Sequence, residues 1–331
     1  MVTVNRVLPV RPDMTTERAT AFVPGHVTAF FSAHPADDPA AAGSCGAGLT
    51  LTDGVETTVV RRDVDEPGDA IDPAESDGRR DSEKAGKHGV PPVLIDGETA
   101  TIGAVDDVLR SLDVAAATAR VSIASDLPIG AGFGVSGAAA LGTALAANAA
   151  FDLGRSENEL VRIAHVAEVE RGTGLGDVVA QARGGIPIRV RPGAPGHGEL
   201  DGIPAAPRVE YVTFGELSTE AILSGDTDAL SAAGERALTR LRRDTRPATL
   251  MDASRAFAAD AGLLVAPVRE AIDDVEAVDG SAAMAMLGRT VFALGTGLTD
   301  AGYDAAVCHT HTAGAGLVGD ERVVTDRPTE R

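Results

Sequence analysis

Lysine is almost missing from this 331-residue chain: of its 29 basic residues only Lys84 and Lys87 are lysines, and the rest are arginines. That scarcity removes several phosphate sites at once. A Walker loop needs Gly-Lys-Ser/Thr, whereas Gly86-Lys87 is followed by His88 within a polar stretch. A protein-kinase lysine on a strand is missing as well. Tryptophan is absent, aromatics make up 3%, and the two cysteines, Cys45 and Cys308, lie far apart. Such cysteines read as reduced thiols and not as a disulfide framework. No unbroken apolar run reaches about 18 residues, so no membrane span is expected. The opening MVTVNRVLPVRPDMTTERAT lacks the charged-then-apolar pattern of a signal peptide.

What is abundant is acid. Forty-nine acidic residues against 29 basic ones leave a net charge of −20. A basic face for nucleic acid is therefore not expected. Acidic, lysine-poor and alanine-rich composition is the pattern of cytosolic proteins from salt-accumulating archaea; an ordinary acidic enzyme is the alternative. In about 1 M salt the screening length falls to roughly 3 Å, which mutes the self-repulsion. A cytoplasmic protein working on small molecules is the expectation.

The chain alternates strands and helices without a regular βαβ rhythm, which points to an α+β protein of two domains. Strands are expected near 55–60, 93–95, 120–125, 186–190, 209–214 and 304–309. A small-residue helix should run from about 136 to 151. Ser156, followed by Glu159 at the third helical position, should cap a helix reaching about Arg171. Further helical patterns lie at 226–243, 249–262 and 267–277, and SAAMAMLGRTVFALG reads as a glycine-interrupted helix. Residues 62–91 form a polar, solvated insertion expected to be mobile. The Pro/Gly-rich 191–207 is a linker or a long hairpin. The boundary falls there, giving an N-terminal domain over 1–195 and a C-terminal α+β domain over 205–331.

The stretch LPIGAGFGVSGAAALGT at 127–143 places glycines at 130, 132 and 134 before that alanine-rich helix. Two readings are open. Glycine lets backbone amides close on an anion at a helix N-terminus, so Gly130, Gly132 and Gly134 could cradle phosphate, with the Ser136 hydroxyl placed for a phosphate or a metal. Alternatively, the glycines let this turn pack closely against a strand. A dinucleotide fingerprint is disfavoured, because the spacing is G-x-G-x-G and no clear ribose-binding acid follows about 20 residues on.

PIGAGFGVSGAA resembles the second motif of the GHMP kinase superfamily, Pro-x-x-x-Gly-Leu-Gly-Ser-Ser-Ala, departing from it at Phe133, Val135 and Gly137. FVPGHVTAFF (22–31) is similar to the first motif. AHVAEVERGTGLGDVVAQARGG (164–185) resembles the segment carrying the family's magnesium-binding glutamate and catalytic aspartate. DGSAAMAMLGRTVFALG (279–295) is the best match to the third, glycine-rich motif, although it lacks the run of glycines. Within the superfamily, PGHVTAFF, AGSCGAG, AHVAE with TGLGD, GGIPIRV, GELSTEAIL and AMLGRTVFAL are similar in order and spacing to the archaeal pantoate kinases, which make 4-phosphopantoate for coenzyme A synthesis.

The resemblance implies a two-domain GHMP kinase fold: an N-terminal domain like the second domain of a small-subunit ribosomal protein and a ferredoxin-like C-terminal domain. It implies ATP and Mg²⁺ as cofactors, a small-molecule substrate and a homodimer. Glu168 and Ser136 are then the metal residues, and Asp177 is the catalytic base or the group that orients the hydroxyl. The bland readings are a solvated helix acid for Glu168 and a helix-capping aspartate for Asp177. His165, three residues before Glu168 on the same helix face, is either near the substrate or a structural histidine. Arg189 is either the cation for a substrate carboxylate or an exposed strand arginine. Ser44 and Thr219 either bond the substrate or serve as turn and cap residues. Cys308-His-Thr-His311 has metal-ligand chemistry but no second cluster to complete a site. Other small alcohols, mevalonate or homoserine, and a regulator that binds nucleotide without turnover remain as alternatives.

Overall fold

The computed structural model of the chain describes residues 18–62, 93–115, 118–215, 227–286 and 288–319. The polar stretch from 63 to 91 and Thr219 lie outside them.

Two long strands organise everything else. β1 (Arg18–His34) and β2 (Gly43–Arg61) are rich in valine, threonine and phenylalanine, residues that suit a pleated, half-buried surface. They pair antiparallel almost throughout, with register shifts between Pro24 and His26 and between Thr28 and Phe30. Proline donates nothing to a ladder, and such irregularities bend and re-aim a strand. Here they re-aim the stretch holding His26 and Thr28.

On the other side of β2 lies β5 (Ala119–Ser125), followed by β3 (Val93–Ile95), parallel to β5, and β4 (Glu98–Ala100) at the edge. The opposite end of β2 pairs with β6 (Ile186–Arg191) through Gly46 and Ala47, and β6 pairs with β7 (Glu199–Ile203). The Pro/Gly-rich segment is thus a hairpin of this sheet. β12 (Gly316–Leu317) completes it beside β1.

Helices α1 (Gly103–Ser111), α2 (Val135–Ala150) and α3 (Glu157–Arg171) pack together, with α2 against β1 and β2. α2 is apolar around most of its circumference and correspondingly buried. Its close approach to the strands depends on Gly142, where a Cβ would sit 2.6 Å from Thr57 Oγ1 and 2.9 Å from Thr57 Cβ. The short α4 (Asp177–Arg183) leads into β6.

The second sheet, ordered β11-β8-β10-β9, is built from β8 (Arg208–Thr213), β9 (Ser281–Ala285), β10 (Thr290–Leu294) and β11 (Ala306–His309). Between β8 and β9 come α5 (Asp228–Arg243), α6 (Pro247–Asp260) and α7 (Ala266–Ala277); α8 (Gly297–Asp300) follows β10. The expected glycine-interrupted helix at SAAMAMLGRTVFALG is instead an antiparallel hairpin, with Thr290 opposite Ala285 and Leu294 opposite Ser281. Both of its strands are buried on both faces, so the run is continuously apolar and periodicity cannot separate strand from helix.

α6 ties the second sheet to the first. Phe257 packs against Phe30 and Phe31, and Ser254 Oγ donates to Ala29 O at 2.8 Å. Among the described residues no helix is long and apolar enough to cross a membrane. Gly142→Ala tests the α2 contact. Alanine favours a helix by up to about 1 kcal/mol, but the overlap with Thr57 should outweigh this and lower denaturant stability by a net of about 1–2 kcal/mol. A raised unfolding midpoint would show that α2 is free to shift.

Candidate active site

The glycine-rich loop runs from the end of β5 to α2. Gly130, Gly132 and Gly134 have φ of +77°, +92° and +64°, so all three are in the left-handed region that other residues avoid. Close approach operates too. A Cβ on Gly132 would meet Met286 O at 3.0 Å and Gly288 N at 3.1 Å, and one on Gly134 would meet Asp177 Cβ at 3.2 Å. The two readings of the glycines are therefore compatible. Three bonds fix the loop from different elements: the His26 amide donates to Phe133 O at 2.9 Å, Gln181 Nε2 to Gly134 O at 2.9 Å, and Thr290 Oγ1 to Ala131 O at 2.7 Å. No side chain caps the N-terminus of α2. Its first amides remain available to an anion.

Ser136 lies in the first turn of α2 and Glu168 near the end of α3. α3 begins with the expected capping box, in which Ser156 and Glu159 bond each other's backbone. Glu168 is 3% exposed, and Ser136 Oγ donates to its Oε1 at 2.6 Å. Burial pushes the Glu168 carboxyl up to about 7, with the charge of Asp177 adding to the rise and the bonds from Ser136 and Thr173 opposing it. A solvated helix acid is excluded by this burial. Ser136 and Glu168 are hard oxygen donors in contact, a set that suits Mg²⁺ when ligand phosphate oxygens supply further positions. Among the described residues no group of three or more His, Cys, Asp or Glu side chains is placed to hold a metal by itself.

Asp177 is the first residue of α4 and belongs to a second cluster. His26 Nδ1 lies 2.7 Å from Asp177 Oδ1, and Thr28 Oγ1 donates to the same oxygen at 3.3 Å. Burial alone would push this carboxyl up. The bond from His26, with the His26, Arg189 and Thr28 contributions, instead brings it below its ordinary value. Arg189 on β6 is 2% exposed, and its Nε donates to Ser44 Oγ at 3.2 Å. Ser44 Oγ in turn donates to Leu175 O at 3.3 Å. Burial lowers the affinity of the Arg189 guanidinium for its proton, and Asp177 partly restores it. Thr28, Phe31, Ser44, Leu175, Asp177 and Arg189 surround a cavity of about 20 Å³. Gly176 closes it; a Cβ there would lie 2.5 Å from Ser44 Oγ and 2.6 Å from Arg189 Nε.

The expected residues thus gather into two adjoining groups. Ser136 with Glu168 and Ser44 with Arg189 are in direct contact, and Asp177 adjoins both the glycine loop and Arg189. Arg189 is not an exposed strand residue. His165 is buried, its Nε2 bonded to Ala42 O at 2.9 Å, and burial lowers its pKa. It supports the Ala42–Gly43 turn that leads to Ser44. Cys308 is buried while His309 is exposed, and the His311 ring packs against Phe22 at 5.2 Å. AGAGLVG packs on the end of α4, where a Cβ on Gly314 would come within 2.2 Å of Ala182 O.

His26, Thr28 and Gln181 were not singled out from the sequence. The two-residue spacing of His26 and Thr28 on a strand was the available signal. Alternation alone does not say which face meets α4.

Glu168 makes a pH prediction. Its folded pKa lies above the ordinary 4.5, so between that value and about 7 the folded state holds the extra proton. Its contribution to stability therefore falls as pH rises through that window. The full cost of ionising it is on the order of 3 kcal/mol at about 1.4 kcal/mol per unit. In metal-free buffer, Glu168→Gln should melt a few degrees higher than the parent at pH 8 and gain little at pH 5. Differential scanning fluorimetry at both pH values checks this.

Comparison with known proteins agrees with the geometry. The signature described as the GHMP kinases N terminal domain matches residues 100–185, which include the glycine loop, Glu168 and Asp177. Pantoate kinase of Thermococcus kodakarensis is 34% identical over 283 residues, covering 83% of this chain and 86% of that protein. Pantoate kinase of Methanospirillum hungatei is 30% identical over 85% of this chain and 89% of its own length. Among solved structures, a phosphotransferase related to the CoA biosynthesis pathway superposes with a TM-score of 0.74 at 28% identity, over 91% of this chain and 98% of that one. Homoserine kinase from Cytophaga hutchinsonii shares the fold, with a TM-score of 0.64 at 15% identity over 94% and 100% of the two chains. The two-sheet α+β architecture is the GHMP kinase fold, and the chain belongs to the pantoate kinase family.

Proposed function

We propose that the protein transfers the γ-phosphoryl group of ATP to the primary hydroxyl of pantoate, giving 4-phosphopantoate and ADP in coenzyme A biosynthesis. One observation carries the substrate reading. Arg189 is buried beside Asp177, and its Nη1 has no hydrogen-bond partner among the described residues. A buried guanidinium with a spare donor costs several kcal/mol unless an anion meets it. A substrate carboxylate is such an anion, and it would hold the substrate's hydroxyl near Asp177. The cavity of about 20 Å³ has room for roughly one water, so the walls part to admit pantoate.

The residues divide the work as follows. The glycine loop and the α2 N-terminus receive the phosphates through backbone amides, with no lysine required. Ser136 and Glu168 would hold Mg²⁺, which when bound would supply charge screening to the phosphates. A cation held there would favour the ionised form of Glu168, because a nearby positive charge favours the carboxylate. The substrate oxygen attacks the γ-phosphorus, the bond from that phosphorus to ADP breaks, and the hydroxyl proton passes toward Asp177. A carboxyl this acidic acts chiefly by orienting the hydroxyl and accepts the proton late. Ser44 lines the pocket wall beside Arg189, and His165 holds the turn that leads to it.

Turnover is measured as ADP release in molar salt with pantoate, mevalonate and homoserine in parallel. Pantoate alone should support it; a preference for either other alcohol would overturn the substrate reading. Asp177→Ala should lower kcat by at least about 100-fold. Arg189→Gln should raise the KM for pantoate by about tenfold or more while leaving the KM for ATP near its parent value. Equal effects on both constants would remove Arg189 from the carboxylate site.

A further inference from the structure

His26 is a buried polar residue that the proposed reaction has not used. It is fully buried on β1, its ring held between Asp177 and the backbone of β2. Thr28 Oγ1 lies 3.4 Å from the same ring nitrogen and 3.3 Å from Asp177 Oδ1, so one carboxylate oxygen is gripped from two residues of one strand. The other oxygen, Oδ2, points toward Gly174, where a Cβ would lie 3.6 Å from it and 2.7 Å from Glu168 Oε2. Asp177 is thereby split into a held oxygen and one turned toward the metal residues.

The far side of the ring is equally specific. His26 Nε2 is buried and has no hydrogen-bond partner among the described residues. It faces Gly48, where a Cβ would come within 2.4 Å. A proton on that nitrogen would be a buried donor with nothing to receive it, and the Arg189 charge nearby disfavours a second positive ring. A bare lone pair is the cheaper occupant. The proton therefore belongs on Nδ1, where it meets Asp177.

We infer that His26 is a positioning residue: as the neutral Nδ1–H tautomer it donates to Asp177 Oδ1, fixing the carboxylate so that Oδ2 faces the substrate hydroxyl. A neutral donor holds the carboxylate without cancelling its charge. A cation at the same place would form an ion pair and weaken the pull of Asp177 on the hydroxyl. Gly48 belongs to the same device, because any side chain there would displace the ring.

This inference rests on Asp177 acting beside the hydroxyl. The test pairs kinetics with a measurement that does not need turnover. His26→Leu, which removes the donor, should lower kcat by about 30-fold with the KM for ATP and for pantoate within about twofold of the parent. His26→Asn, whose amide reaches the Nδ1 position, should recover to within about fivefold of parent kcat. Nitrogen-15 NMR of histidine-labelled parent protein, with His26→Asn to assign the signal, should show Nδ1 protonated and Nε2 bare. An Nε2–H tautomer or a doubly protonated ring in the parent overturns the inference, even if the variants fail to fold. So does parent-like kcat in His26→Leu, or equal loss in folded His26→Leu and His26→Asn. If Asp177→Ala also retains turnover, the proposed role of Asp177 falls as well; if only His26→Leu retains it, that role stands without His26.

Discussion

A guanidinium buried next to a carboxylate sets the terms for the centre of this protein. Taking Arg189 out of water costs several kcal/mol, and its attraction to the partly exposed Asp177 offsets this only where further hydrogen bonds support it. Four elements supply that support. β6 brings Arg189, α4 brings Asp177, β1 brings His26 and Thr28, and β2 brings Ser44. Each must arrive within a few tenths of an ångström, which is why glycine occupies the points of closest approach. Gly176 admits the Ser44–Arg189 bond, Gly48 admits the His26 ring, and Gly134 admits Asp177. One imbalance remains: Arg189 Nη1 is buried with no hydrogen-bond partner among the described residues, and under the proposed function a substrate carboxylate would meet it.

Two carboxyls close together are tuned in opposite directions by their surroundings. Asp177 accepts bonds from His26 and Thr28 near Arg189 and is held below the ordinary carboxylate range. Glu168 is buried with a hydroxyl for its nearest partner and rises to about 7. Separated pKa values of this kind assign different work to chemically similar groups. One carboxylate is charged before substrate arrives. Under the proposed function the other would become fully charged only when a cation binds, which would couple its ionisation to loading of the site. The overall charge of −20 makes this local arrangement more demanding, since anionic substrates approach an anionic molecule. Under the proposed function, backbone amides and one arginine would provide the attraction that lysines provide elsewhere.

Much of the fold was legible along the chain because the signals were local. The Ser156–Glu159 cap, the small-residue helix after the glycines and the short strands at 93–95 and 120–125 all depend on neighbours within a few positions. The hairpin of β9 and β10 was not legible, because burial on both faces erases the alternation that marks a strand. The length of β1 and β2 was obscured for a related reason. Pro24, Gly25 and Gly46 look like breaks in the sequence, but Pro24 and Gly25 sit at a register shift and Gly46 pairs with Phe31 within a ladder that continues beyond them. β12 is only two residues long, and its place beside β1 comes from a return across the molecule.

The sequence by itself determined which groups are available: a lysine-free glycine loop before a helix, a serine and a glutamate, an aspartate at a helix start, and an arginine in the following strand. These are matters of residue type and spacing, and they survive translation into any fold that keeps the helices. Tertiary structure decided which of those groups are dry, which touch, and which proton sits where. Ser136 meets Glu168 across 32 residues, Arg189 meets Ser44 across 145, and His26 meets Asp177 across 151. Burial and partnership are properties of such long-range contacts, so the charge state of each group is written only in the packed molecule.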